Sequence, residues 1–373
     1  MAIQNTFLGI EYVIAIAWSP TNKEIAILHA EGSKLERSIL TWIDSTTHAR
    51  TTLELGKICP GLHDNLLWSP DGTKLLVVYG YVNGFTFIVD RHTLQTTTVK
   101  TCNSASTHAS FSPDGKLFGI GCFSDEAELA YARIFETRTG KVVHEFNRLL
   151  ANGPHYKKCA IEWQPISGNI SVSCVDVVSF ETRIQLFTGA FDYISETTSE
   201  HCLEEMSWSP DATKLMMGFN DRIVVYSVDN GVISESPMFK SKDMCQFICK
   251  TNPRITNDVI TGFCYSSAYI RSTQDGSIVS ELDLWTILMC DSICRVTCCT
   301  WSPDMTQLLV CYDKNNYQNS DVVMIDLASM KVTPVLVDSP MDVTTACCWS
   351  PDSKQFVVFG RQNKLKGVVH WLL

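Results

Sequence analysis

Asn65-Leu66-Leu67-Trp68-Ser69-Pro70-Asp71-Gly72-Thr73-Lys74-Leu75-Leu76-Val77-Val78-Tyr79 reads as two apolar strands joined by a tight turn. Serine at the first turn position can bond nearby backbone, proline at the second presets φ, and glycine suits the fourth. Working outward, Phe85-Thr86-Phe87-Ile88-Val89-Asp90 supplies a third strand and Leu94-Gln95-Thr96-Thr97-Thr98-Val99 a fourth. The two middle strands are nearly continuous apolar runs, as expected when both faces are covered. The fourth alternates threonine with apolar residues, as expected of an edge half in water.

The same unit recurs along the whole chain at intervals of 43 to 52 residues. Its turns are Trp18-Ser19-Pro20, Trp68-Ser69-Pro70-Asp71-Gly72, Phe111-Ser112-Pro113-Asp114-Gly115 and Trp163-Gln164-Pro165, then Trp208-Ser209-Pro210-Asp211, Thr251-Asn252-Pro253, Trp301-Ser302-Pro303-Asp304 and Trp349-Ser350-Pro351-Asp352. Repetition in this range marks an architecture of stacked units, each burying its faces against its neighbours. Thr251 marks the weak copy, although 258–265, 268–271 and 278–284 still read as strands there.

Four antiparallel strands per unit predict an all-β propeller of eight four-stranded blades in a single domain, residues 1–373. Seven blades with an inserted hairpin is the alternative, because the sixth copy lacks its tryptophan. The eighth unit runs out after three strands, the last at Gly367–Leu372, while Ala2–Leu8 is an extended stretch with no unit of its own. The N-terminal stretch is therefore expected to serve as the outer strand of the last blade and close the ring, which also removes an open edge.

On these turns the chain resembles the WD-repeat superfamily, and more its divergent Trp-Ser-Pro-Asp branch than its consensus members. Third strands end in Ile43-Asp44, Val89-Asp90, Phe135-Glu136 and Ile325-Asp326 instead of Trp-Asp, and the Gly-His pair of the consensus is missing. The Asp–His–Ser–Trp network of ideal repeats is accordingly not assumed. The resemblance implies a protein-interaction scaffold, a subunit or adaptor of a multiprotein assembly. An RNA- or ribosome-contacting propeller of the translation-factor kind is the alternative, and a propeller enzyme comes third.

Charge and composition narrow these classes. A net charge of −10, from 30 basic and 40 acidic residues, weighs against broad nucleic-acid or anionic-membrane binding, both of which rest on clustered Lys and Arg. No apolar run approaches a membrane span, and the start Met-Ala-Ile-Gln-Asn lacks the pattern of a secretory signal. A cytoplasmic protein is expected, with the nucleus left open. The 16 cysteines then read as thiols in a reducing compartment. Cys299 and Cys347 stand two residues before a blade tryptophan, where other units place Ile16, Leu66, Ala109, Ile161 and Met206, and are expected in the core. Cys290, Cys294 and Cys298 have helical spacing but lead into a strand, with no histidine partner at zinc-finger distance.

No Gly-x-Ser-x-Gly, phosphate loop or zinc-protease helix is present. The expectation is no enzyme, no cofactor, and no catalytic or metal-ligating residue. Three stretches depart from what blade packing requires. Phe146 to Cys159 carries Arg148, His155, Tyr156, Lys157 and Lys158, a basic and aromatic island on an acidic protein. Leu282 to Met289 is too apolar for an ordinary outer strand, and Trp285 would anchor an interface there. Tyr312 to Asn319 reads as a polar loop with Tyr312 and Tyr317. These eight residues are the predicted partner-binding set, on the loop face where partners of the resembled family usually dock.

Overall fold

The computed structural model describes residues 3–10, 12–31, 37–56, 65–79, 85–101, 105–124, 129–146, 156–176, 179, 181–200, 203–219, 222–229, 231–235, 239–240, 259–264, 267–272, 277–283, 295–304, 306–314, 319–326, 328–329, 331–336, 343–362 and 366–372. Its regular structure is antiparallel β-sheet throughout, each strand paired with the next in sequence apart from the pairings at the chain ends and the added strand of sheet E. Sheets are lettered here in chain order. Sheet A spans Tyr12–Trp18, Glu24–Glu31, Arg37–Asp44 and Arg50–Gly56; sheet B spans Asn65–Trp68, Lys74–Val78, Phe85–Asp90 and Thr96–Lys100. Sheet C holds Ala105–Phe111, Leu117–Ser124, Leu129–Glu136 and Val142–Phe146; sheet D holds Tyr156–Trp163, Ile170–Asp176, Thr182–Phe187 and Tyr193–Ser199.

Sheet E, from Leu203–Trp208 to Val232–Glu235, gains a fifth strand, Phe239–Lys240, beside Arg222–Asp229. Among the described residues sheet F has three strands, Val259–Cys264, Ser267–Ser272 and Ile278–Asp283. Sheet G holds Arg295–Trp301, Gln307–Lys314, Asn319–Asp326 and Lys331–Leu336. Sheet H joins both chain ends: Val343–Trp349, Phe356–Gln362 and Lys366–Leu372 are completed by Ile3–Ile10, which runs antiparallel with Ile3 opposite Leu372 and Thr6 opposite Val369.

Among the described residues, six sheets are four-stranded, rather than the eight, or alternatively seven, that the repeat predicts. The two exceptions are neighbours. Sheet E takes its extra pairing just before sheet F, whose copy of the motif, Thr251-Asn252-Pro253, has lost the aromatic anchor and lies outside the described residues.

The aromatic-Ser-Pro-Asp turns explain why the units are alike. In sheet B the Ser69 hydroxyl donates to Asp71 Oδ1 at 2.6 Å, the Lys74 N–H donates to Ser69 Oγ at 2.9 Å, and the Gly72 N–H donates to the Ser69 carbonyl at 2.8 Å. Ser112 with Asp114, Ser209 with Asp211, Ser302 with Asp304 and Ser350 with Asp352 repeat the hydroxyl-to-carboxylate bond. The fourth turn position sits at positive φ, 71° at Gly72 and 62° at Ala212, a region that disfavours a Cβ. Aspartates at the ends of third strands serve the next turn locally: Asp44 Oδ1 accepts the Thr46 and Thr47 N–H groups, and Asp90 Oδ1 those of His92 and Thr93.

The core lies between sheets. Apolar clusters join A to B, B to C, C to D, D to E, G to H and H to A. In the last of these, Val357 and Phe359 of the C-terminal sheet pack with Trp18, Ile25 and Ile27 of sheet A. Motif tryptophans stitch the junctions: the Trp68 Nε1–H donates to the Ala17 carbonyl at 3.1 Å, and that of Trp349 to the Thr300 carbonyl at 3.0 Å.

Candidate functional site

A set of interacting polar side chains on first strands lies where sheets C and D meet. Alternation along Ala105–Phe111 sends His108 and Ser110 to one side, toward Tyr156–Trp163. Close approach is made possible by glycine. A Cβ on Gly121 would stand 2.0 Å from the Cys159 carbonyl oxygen, and one on Gly119 would stand 2.6 Å from Ile161. With both side chains absent, the first strand of sheet D settles directly against sheet C.

The Ser110 hydroxyl donates to Glu162 Oε2 at 2.9 Å. His108 Nδ1 lies 3.0 Å from the Ile161 carbonyl, which can only accept, so Nδ1 carries the proton. His108 Nε2 then faces Glu162 Oε1 at 3.5 Å, within ion-pair range but longer than a tight hydrogen bond. Burial pushes the Glu162 carboxyl up to about 8, and the Ser110 hydrogen bond opposes part of that rise. About a quarter of its side chain stays open (23 %), so water reaches the group and can exchange its proton. The network continues outward: Ser171 Oγ donates to the Glu162 carbonyl at 3.2 Å and accepts the Trp208 indole N–H at 3.0 Å.

Chemically, this arrangement can hold or release a proton near neutrality and can accept a hydrogen bond. Ser110 bonds the Glu162 carboxyl group and not the imidazole, so the serine–histidine pair of an activated hydroxyl is not formed here. The site was readable only by aligning the units. The residue before the motif aromatic is Ala17, Leu67, Ser110, Glu162, Ser207, Thr300 and Cys348 in seven of the copies, and Glu162 alone among these is a carboxylic acid.

The predicted partner-binding residues are distributed differently. Tyr156, Lys157 and Lys158 fall within the strand Tyr156–Trp163, so the basic island is divided between strand and connector. Tyr156 pairs with Asp176 and Lys158 with Val175, with a register shift between them. Tyr312 belongs to the strand Gln307–Lys314, opposite Asp321, and only 4 % of it is exposed. Its hydroxyl donates to Asp321 Oδ2 at 3.4 Å, and burial followed by the Asp321 charge pushes the phenol up to about 12. The polar loop expected from Tyr312 onward does not begin there, because pairing continues to Lys314 and Asn319; residues 315–318 lie outside the described residues. Arg148, His155, Trp285 and Tyr317 lie outside the described residues.

The C-terminal WD40 domain of Sif2 superposes with a TM-score of 0.68 at 12 % identity, covering 100 % of this chain and 98 % of that one. The chain has the fold of a WD40 β-propeller. The β-propeller domain of Myceliophteria thermophila Cps50 (Swd1) is similar too, with a TM-score of 0.59, 9 % identity and 100 % coverage of both chains. No family model and no curated protein matches the sequence. At such identities the propeller likeness lies in backbone geometry, which the turn and junction bonds above maintain.

Proposed function

We propose that this propeller is a non-catalytic scaffold that holds a protein partner within a larger assembly. One observation carries the reading: the strongest candidate for chemistry, His108–Ser110–Glu162, is bonded as a seam between two sheets, with both the serine and the histidine engaged by sheet D. The chain also fits the length of two propeller domains completely. A rigid body of this kind recognises partners with its loops. The docking face is proposed to be the one reached by the connector before Tyr156 and by the neighbouring connectors, using Arg148, His155, Tyr156, Lys157 and Lys158, with Trp285 and Tyr317 as aromatic anchors. Tyr312 supports that face from beneath, holding the strand pair that carries 315–318.

The architecture proposed for it is one domain, a ring of eight units of the divergent Trp-Ser-Pro-Asp type closed by Ile3–Ile10. The pairing of that strand with Lys366–Leu372 and the core shared by sheets H and A support closure. Removing residues 2–8 should lower the melting temperature or cause aggregation; an unchanged monomer of equal stability would remove the closure reading. A reducing, cytoplasmic setting is proposed on the 16 cysteines, read as thiols in a chain of this length.

Purifying the tagged protein from its own cells tests the scaffold reading. Wild type should retain a stoichiometric protein partner, and the triple variant Arg148→Glu, Lys157→Glu, Lys158→Glu should lose it while keeping its melting temperature. Recovery of RNA with a steep salt dependence would favour nucleic-acid contact instead. Loss of the partner only on changing the Ser-Pro-Asp turns would move the docking face to the opposite side.

A further inference from the structure

We propose that Cys298, Cys311 and Cys347 form a binding site for one monovalent copper ion at the junction of sheets G and H. Their three sulfurs come from three strands of two sheets and all lie within 4.8 Å of one another. A trigonal metal with sulfur bonds of about 2.3 Å needs its sulfurs about 4 Å apart, so small side-chain adjustments complete the geometry. Cys298 and Cys311 face each other across paired strands, and Cys347 packs against them from the next sheet.

Packing alone does not call for sulfur here. The register places Ala15, Leu28 and Leu66 at the corresponding positions of the A–B junction, and Ala346, Phe359 and Ile16 at those of the H–A junction. Alanine, aliphatic residues and one phenylalanine fill those places, whereas at G–H all three are cysteine. The expectation that Cys347 is an ordinary core residue is thus incomplete: from a first strand it brings its sulfur to the two facing cysteines of the neighbouring sheet.

The donor set selects the metal. Among the described residues the cluster is three sulfurs with no histidine or carboxylate, a set that suits a trigonal ion better than tetrahedral zinc. Thiolate and thioether are soft ligands that suit monovalent copper, and Met324 lies in the same buried cluster. Counted from three thiols, the empty cluster carries no charge. Copper enters with one positive charge and displaces thiol protons to solvent. With all three sulfurs bound as thiolates, three protons go to solvent and the filled site carries a charge of about −2.

The test is anaerobic titration with monovalent copper against a competing copper chelator, followed by ultraviolet thiolate-to-copper charge transfer. Wild type should hold one copper per chain and gain melting temperature on loading, because the ion binds the folded state. Cys347→Leu, Cys298→Ala and Cys311→Leu each install a residue that another junction already accommodates, and each should lose the bound copper. Melting temperature without copper reports whether each variant is folded, and any one folded variant decides. Cys159→Ala removes a thiol of the other close sulfur pair, 3.4 Å from Cys174, and should keep the copper. The site is overturned if wild type yields its copper to the chelator, if a folded triad variant retains it, or if Cys159→Ala loses it. Preferential retention of zinc by wild type overturns the choice of metal.

Discussion

The C–D and G–H junctions have the same backbone construction and opposite interiors. In both, a first-strand residue three places before the motif aromatic or one place before it faces the next sheet, and a tryptophan of that next sheet completes the contact. At C–D those positions hold His108, Ser110 and Gly121, facing Ile161 and Glu162. At G–H they hold Cys298, Thr300 and Cys311, with Cys347 opposite and the Trp349 indole donating to the Thr300 carbonyl. The difference teaches that the repeat fixes strands, turns and the tryptophan wedge, and leaves a few positions per junction free for local chemistry.

The largest expected effects test what the two junctions share. Trp163→Ala and Trp349→Ala should each cost about 3–5 kcal/mol in urea unfolding, through lost burial plus a cavity. Both indoles are buried in equivalent clusters, 6 % exposed each, so markedly unequal losses would break the equivalence. Next comes an exchange of what differs. Gly121→Cys places at C–D the residue that G–H accommodates as Cys311. Its Cβ meets backbone at 2.0 Å, and the sheets must part at a cost of about 3 kcal/mol. Full retention of stability would show that the close approach at C–D is not required.

A pH series separates the interiors further. A carboxyl raised from 4.5 to about 8 in the folded protein binds more protons there than when unfolded. Its contribution is therefore complete below about pH 4.5 and is lost as pH rises toward 8. Each unit of pH in that window is worth up to about 1.4 kcal/mol; solvent access and the neighbouring imidazole of His108 reduce the total to about 2 kcal/mol. Glu162→Gln should flatten this decline, measured by denaturant midpoints between pH 5 and 8. An unchanged slope would mean that another group supplies it. His29 has the opposite sign. Burial pulls its imidazole down to about 4, so its contribution is full above pH 6.5 and is lost as pH falls toward 4.

The smallest effect is in the turns. Ala212 at φ 62° should gain about 1 kcal/mol on replacement by glycine, since a left-handed Cβ costs about 1–2 kcal/mol. Ser353→Gly should gain less, because the Ser353 hydroxyl accepts the Asp304 N–H at 3.0 Å and that bond would be lost. Equal melting-temperature gains would show that this link between the turns of sheets G and H adds nothing.

Much of this was legible in the residues. The expected strands at 355–359 and 367–372 appear as Phe356–Gln362 and Lys366–Leu372, and the expected outer strand at 2–8 as Ile3–Ile10. Apolar alternation and turn chemistry are local, so they can be read from neighbouring residues. The polar loop expected from Tyr312 onward was overextended because a buried Tyr–Asp pair across two strands resembles loop composition in sequence. Glu162 was overlooked because its partners are 52 and 54 residues away, and a lone glutamate before a tryptophan carries no signal without them.

The sequence by itself determined the repeating four-stranded unit, its Ser-Pro-Asp turn and the tryptophan at its centre, because each follows from residues that touch within one unit. Only the tertiary structure decided what each junction contains. Cys298, Cys311 and Cys347, or His108, Ser110 and Glu162, become neighbours through the packing of one sheet on the next. Their spacing along the chain shows no pattern, since the distance that governs their chemistry is measured across sheets.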